Sequence, residues 1–349
     1  MRALTVVPLK ANSARLDDVP EPPLGDGPVL VQTLSIGVCG TDMDIISGSY
    51  GWPPPGRDRL VLGHESLGRV LEAPADSGVR QGDLVVGIVR RPDPVPCPNC
   101  AVDEWDMCRN GLYTERGIKE RDGYCSERYR IHPKYAVKVD ARLQHRGVLL
   151  EPASVVAKAW DEIEKIGSRA LWKPQRVLVT GAGPIGLLAA LIGVQRGLEV
   201  HVLDRITSGP KPALAKDLGG SYHVGAVKET GAPYDVVLEC TGVGPLIFEV
   251  IEHIAPGAII CLAGISSGGH KLDIDLSSIN RDLVLENAVI FGSVNANRRH
   301  YELGAAALAK ADQGWLDRLI ARRVPLEAWQ EALERKPNDV KTIIDVSAS

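Results

Sequence analysis

The spacing of apolar residues divides the chain into two textures. Up to about residue 155, short apolar runs at 29–34, 67–71 and 83–88 are separated by clusters such as Pro20-Glu21-Pro22-Pro23 and Trp52-Pro53-Pro54-Pro55-Gly56. That texture predicts strands and turns. From about Ala157 to Asn295 the pattern changes to apolar strands alternating with helix-forming stretches. The strands are Val177-Leu178-Val179, Val200-His201-Val202-Leu203, Val236-Val237-Leu238, Ala258-Ile259-Ile260-Cys261-Leu262 and Val289-Ile290-Phe291. Such alternation predicts a parallel sheet covered by helices. Helices are then expected over 301–311, 315–322 and 326–335, with a last strand over 342–346. The predicted fold class is α/β: a mostly-β domain made of residues 1–155 and 296–349, with a doubly wound nucleotide domain, 156–295, inserted between them. A cleft between the two is the expected place for a substrate.

Composition narrows the partners. The 349 residues, 44% of them hydrophobic, are enough for two cores. A net charge of −4 argues against nucleic acid or an anionic membrane as the main partner. Apolar runs stay shorter than a membrane span. The first residues, Met1-Arg2-Ala3-Leu4-Thr5-Val6-Val7, read as a strand rather than a signal segment, so a cytoplasmic location is expected. Cysteine is present seven times, and three of those residues crowd into Cys97, Cys100 and Cys108. In a reducing compartment that clustering suggests metal rather than disulfides.

The strand ending at Thr180 runs into Gly181-Ala182-Gly183-Pro184-Ile185-Gly186 and then into an apolar helix. A lone GxGxxG is weak evidence; between a strand and a helix it predicts a dinucleotide site. Gly181 serves the tight turn, Gly183 the approach of a pyrophosphate and Gly186 close helix–strand packing, with Pro184 and Ile185 at the helix start. Asp204 ends the next strand, 21 residues after Gly183, where a carboxylate meets the adenosine ribose. It favours NAD. The neighbouring Arg205 suits stacking on adenine or clamping a 2′-phosphate, which keeps NADP or dual use as the alternative. Thr241, Gly264 and Ile265 end later strands at the same edge of the sheet.

Three further stretches carry metal chemistry: Gly37-Val38-Cys39-Gly40-Thr41-Asp42, then Gly63-His64-Glu65, then Glu151-Pro152. Thiolate, imidazole and carboxylate are zinc ligands, and three protein ligands plus an open position mark a catalytic site. Singly, a cysteine is usually a small buried hydrophobe and a histidine a hydrogen-bonded one. Here both lie in glycine-flanked turns, where side chains can converge.

These motifs, with the order of the two textures, resemble the zinc-dependent medium-chain dehydrogenases over essentially the whole chain. Asp106-Met107-Cys108, Tyr113-Thr114-Glu115-Arg116-Gly117-Ile118, Asp122-Gly123-Tyr124, Leu150-Glu151-Pro152 and Gly292-Ser293-Val294-Asn295 are similar to the glucose (aldose) 1-dehydrogenase branch. The resemblance implies a GroES-like catalytic domain and a Rossmann domain. It implies that Cys39 and His64 hold the zinc, with Glu65 and Glu151 binding it directly or through water. Thr41 matches a hydroxyl beside the reacting alcohol and a proton relay. Glu115, Glu151 and Asn295 match sugar-binding residues. Ser293, Asn295 and Lys341 match positions near the nicotinamide, Lys341 also having the plainer reading of a solvated lysine.

Cys97, Cys100 and Cys108 match three of the four cysteines of a structural zinc lobe. The first is replaced by Pro94, so Asp93 or Asp103 is left as the fourth ligand, or the lobe is metal-free. The implied activity is oxidation of an aldose at C1 to the lactone, zinc acting as Lewis acid, with hydride passing to NAD or NADP. Relatives tend to carry a histidine where Leu285 or Glu286 stands, which leaves polyol, amino-cyclitol or secondary-alcohol substrates as alternatives. A cofactor-binding protein without catalysis is the alternative outside the class. Relatives are homodimers or homotetramers, often joined through strands such as the one at 289–294. The remaining histidines, including His132, His145, His201, His223, His253 and His270, read as structural or surface residues; His300 matches a histidine of some relatives.

Overall fold

The computed structural model describes residues 1–266, 271–334, 336 and 339–347. The chain divides into one unit of Met1–Ser154 with Asn295–Ser349 and a second of Val155–Val294. Arg335 and His270 lie outside the described residues.

The first unit is built on the strand Val29–Gly37, whose residues alternate between core and surface over most of its length. It pairs antiparallel with Glu65–Glu72, with Arg128–Ile131 and with the late strand Lys341–Asp345. Val29, Val31, Ile36, Leu4, Val70, Tyr124 and Ile344 share one buried core. The register decides the chemistry. Gly37 lies opposite Glu65 on one side and Ile343 on the other. A Cβ at Gly37 would fall 2.1 Å from a carboxylate oxygen of Glu65 and 2.9 Å from Cε of Lys341. Glycine is therefore what lets those two side chains meet across the strand end.

The second unit is a six-stranded parallel sheet in the order Ser221–His223, Glu199–Leu203, Arg176–Thr180, Tyr234–Glu239, Ile254–Leu262, Val289–Gly292. This is the doubly wound order with its switch point beside Arg176–Thr180. Val177 to Thr180 are all buried, as expected where helices cover both faces. The helix Pro184–Gln195 follows and buries Leu187, Leu188, Leu191 and Ile192. Each such side chain contributes about 1.5–3 kcal/mol on leaving water. Gly181 has φ +87°, and a Cβ on Gly186 would sit 1.8 Å from the Gly181 carbonyl oxygen. Both glycines are thus required by the turn and the packing.

The expected helix over 315–322 is only half helix. Gln313–Leu319 is helical, but Ile320–Pro325 is a strand parallel to Lys341–Asp345. Its buried–exposed alternation is read by a neighbouring strand remote in sequence. The 326–335 stretch is a 3-10 turn, Leu326–Ala328, and a short helix, Trp329–Leu333. Among the described residues no helix is long and apolar enough to cross a membrane.

Candidate active site

Cys39 leaves the end of the Val29–Gly37 strand and N-caps the helix Gly40–Ser47. Its Sγ accepts the Thr41 N–H at 3.3 Å, and its own N–H donates to the Asp42 carboxylate at 2.9 Å. His64, buried just before the strand Glu65–Glu72, places Nε2 3.0 Å from Cys39 Sγ. Its Nδ1 faces Asp42 Oδ1 at 3.3 Å. One ligand atom from each of Cys39, Asp42 and His64 lies within 4.8 Å of the others.

Asp42 was not assigned a role from sequence. Its position three after the cysteine and its capping geometry show why it is there: it holds the far side of the imidazole, as carboxylates do behind metal-bound histidines. Burial lowers the His64 pKa, but the Cys39 and Asp42 charges override it and raise the value well above normal. The environment thus favours positive charge on or beside the ring. A half-buried cysteine sulfur beside a buried imidazole backed by carboxylate is a donor set that fits zinc.

Glu65 and Glu151 do not join that tight group. The Glu65 carboxylate is paired with Lys341, which is 2% exposed and also donates to the Val38 carbonyl at 2.9 Å. Lys341 is therefore not a solvated lysine. Burial lowers its pKa, and the Glu65 charge more than restores it. Glu151 is buried in the same neighbourhood. Burial first, then the Glu65 charge, push its pKa up to about 7. Thr41 is half-buried one helical position after Gly40.

Glu115 and Asn295, far apart in sequence, are together. Asn295 Nδ2 donates to Glu115 Oε1 at 2.8 Å. Arg90 reaches the same oxygen with Nε at 3.1 Å and Nη2 at 3.0 Å, and its guanidinium lies 3.7 Å from the centre of the Tyr113 ring. Asn295 has φ +62°, an uncommon conformation that asparagine tolerates. Arg90 carried no sequence signal, because only the pairing of Arg90 with Glu115 across two short strands reveals it.

Cys97, Cys100 and Cys108 also converge, their sulfurs within 4.8 Å of one another. Neither expected carboxylate completes them. Asp103 is turned to Lys134, and Asp93 accepts from the Val95 N–H and from Asn110. Backbone donors, first Arg109 N–H, lower the Cys97 thiol to about 6, while burial raises Cys100 to about 11.

In the second unit, Asp204 Oδ2 accepts the Ala182 N–H at 2.6 Å, which ties the acid to the glycine turn. Arg205 beside it is exposed. Glu239, 0% exposed, accepts from Thr180 Oγ1 at 3.1 Å, Thr241 N–H at 2.7 Å, Gly242 N–H at 3.0 Å and the Thr241 hydroxyl. Its carbonyl also accepts from Ala263 and Gly264 at 2.8 and 2.9 Å. A Cβ on Gly264 would lie 2.2 Å from Gly242 N. Thr241 and Gly264 thus form one packed edge, whereas Ile265 is exposed and Ser293 is buried at the end of Val289–Gly292. The expectation for this edge did not include Glu239, which looks like one more buried strand residue in sequence. His201 and His223 stack at 5.0 Å and bond through their ring nitrogens, a structural pair.

A GroES-like unit bearing a thiol–imidazole pair, joined to a doubly wound nucleotide unit, defines a zinc-dependent medium-chain dehydrogenase. Residues 25–141 match the alcohol dehydrogenase GroES-like domain, and residues 144–346 match the glucose dehydrogenase C-terminus. The chain belongs to the glucose dehydrogenase family. It is 40% identical to the glucose 1-dehydrogenase of Methanocella arvoryzae over the whole of both chains, and 39% identical to that of Thermoproteus tenax over 99% of each. The solved glucose dehydrogenase of Haloferax mediterranei, in complex with NADP, Zn and gluconolactone, superposes with a TM-score of 0.90 at 30% identity over 99% of each chain.

Proposed function

We propose that this chain oxidises the C1 hydroxyl of a glucose-like aldose to the lactone, with NAD(P) as acceptor. The observation that carries the reading is Glu115. Its carboxylate is held from behind by Arg90 and Asn295 in the same unit as the thiol–imidazole pair. A buried, oriented carboxylate suits a polyhydroxylated substrate.

Cys39 and His64 would hold zinc, with Asp42 fixing the imidazole ring. Bound zinc supplies Lewis acidity toward the C1 oxygen, and bound NAD(P) accepts the hydride. The chain's own residues manage the proton and the sugar. Thr41 passes the C1 hydroxyl proton outward. Glu151, buried in the same neighbourhood, takes that proton in turn. Glu65 is held in place by its pairing with Lys341. Glu115 accepts hydrogen bonds from sugar hydroxyls, and Asn295 fixes its orientation. Two electrons and one hydrogen leave C1 as hydride, and the hydroxyl hydrogen leaves as a proton. The same reading expects a cytoplasmic homodimer or homotetramer.

Steady-state kinetics with glucose, galactose and xylose against sorbitol and ethanol, each with both cofactors, test it. An aldose should be preferred in kcat/KM. Preference for sorbitol or ethanol would end the aldose assignment and leave a polyol or secondary-alcohol dehydrogenase.

A further inference from the structure

The acid at the end of the second strand of a nucleotide sheet receives the ribose hydroxyls of NAD and repels the phosphate of NADP. Here that acid is not alone. Besides the Ala182 N–H, Asp204 accepts the Ile206 N–H on Oδ1 at 3.1 Å, so both oxygens are anchored to backbone. Lys211, in the first turn of the helix Pro210–Asp217, places Nζ 3.6 Å from Oδ2. Its side chain is largely sheltered, 17% exposed, so the charge is held against the acid rather than waving in solvent. The exposed Arg205 adds a second cation beside the same acid.

We propose that Lys211 is a specificity-determining residue that makes this site tolerate a 2′-phosphorylated dinucleotide despite Asp204. The inference rests on the NAD(P) reading above and deepens it. The ammonium offsets the carboxylate's repulsion, since it stands 3.6 Å from the acid that this fold turns toward the ribose 2′ position. A charge-assisted contact to phosphate is short and strong, whereas a neutral hydroxyl gains little from the same cation. The chain should therefore bind both cofactors, with Lys211 supporting NADP far more than NAD.

The test is a direct titration of NAD+ and NADP+ against wild type, Lys211→Met, Lys211→Arg and the double variant Asp204→Asn/Lys211→Met, with no sugar present. Lys211→Met should weaken NADP+ by about tenfold or more and NAD+ by much less, the size of one charged hydrogen bond. Lys211→Arg should keep NADP+ binding. The double variant should recover NADP+ affinity relative to Lys211→Met, a gain that a folding defect cannot produce. Equal losses for both nucleotides, an unchanged NADP+ affinity, or no recovery in the double variant would overturn the assignment while leaving the dehydrogenase reading intact. Failure of the wild type to bind either nucleotide would overturn both.

Discussion

Asp42 Oδ1 and Cys39 Sγ grip the two nitrogens of one imidazole ring, at 3.3 Å and 3.0 Å. Replacing Asp42 by Asn keeps the shape but removes the charge that orients and polarises His64. Zinc affinity should fall about 10- to 100-fold, as losses behind metal-bound histidines do. Competition with a chromophoric chelator measures it, and unchanged affinity would remove Asp42 from the site. Arg90 acts similarly on the sugar side. Arg90→Met leaves Glu115 buried with Asn295 as its remaining partner on that oxygen. Glucose kcat/KM should drop about 10- to 100-fold, carried by KM, from the loss of charged hydrogen bonds. A drop confined to kcat would mean that Glu115 takes part in the chemistry itself. These contacts show where sequence reading stops. Cys39, His64 and Glu115 stand in motifs with visible chemistry. Arg90 and Lys341 look like ordinary surface cations until folding buries them beside an acid.

At the scale of elements, the strands that position the site were legible wherever their own periodicity decided them. The parallel strands Arg176–Thr180 and Tyr234–Glu239 are continuous apolar runs because both faces are covered. Ile320–Pro325 was not legible, since its partner Lys341–Asp345 lies about twenty residues on and its short alternation also suits a helix end. Gly37 shows a third kind of constraint: a glycine required by two side chains rather than by its backbone. Gly37→Ala would drive a methyl into Glu65 and Lys341, so both must move. Overpacking of this kind costs about 1–3 kcal/mol, seen as a lower midpoint in denaturant unfolding. Glu239 is the corresponding anchor in the nucleotide sheet. Glu239→Ala strands the Thr241 and Gly242 N–H groups at the strand ends, so nucleotide affinity should fall as stability does. Thermal unfolding with and without nucleotide measures both, and a variant that loses neither would deny the anchor.

Across the whole molecule, the buried charges near Cys39 make stability depend on pH and metal together. Glu151 is raised to about 7 by burial and by the Glu65 charge, above the ordinary carboxylate range it has when unfolded. A folded pKa raised above the unfolded one stabilises the protein fully below the unfolded value and loses that contribution as pH climbs through the folded value. For Glu151 the loss runs from about pH 4.5 to about pH 7 and amounts to roughly 3 kcal/mol. It applies to the metal-free protein, where the carboxylates face one another with only Lys341 and His64 to balance them. Other groups titrate in the same window, so the difference between wild type and Glu151→Gln isolates it. With a chelator present, the melting temperature of wild type should fall relative to Glu151→Gln between pH 5 and pH 8. Adding zinc supplies the positive charge that a proton would otherwise bring, and the two curves should draw together. Parallel curves without metal would show that Glu151 is not strained by its neighbours.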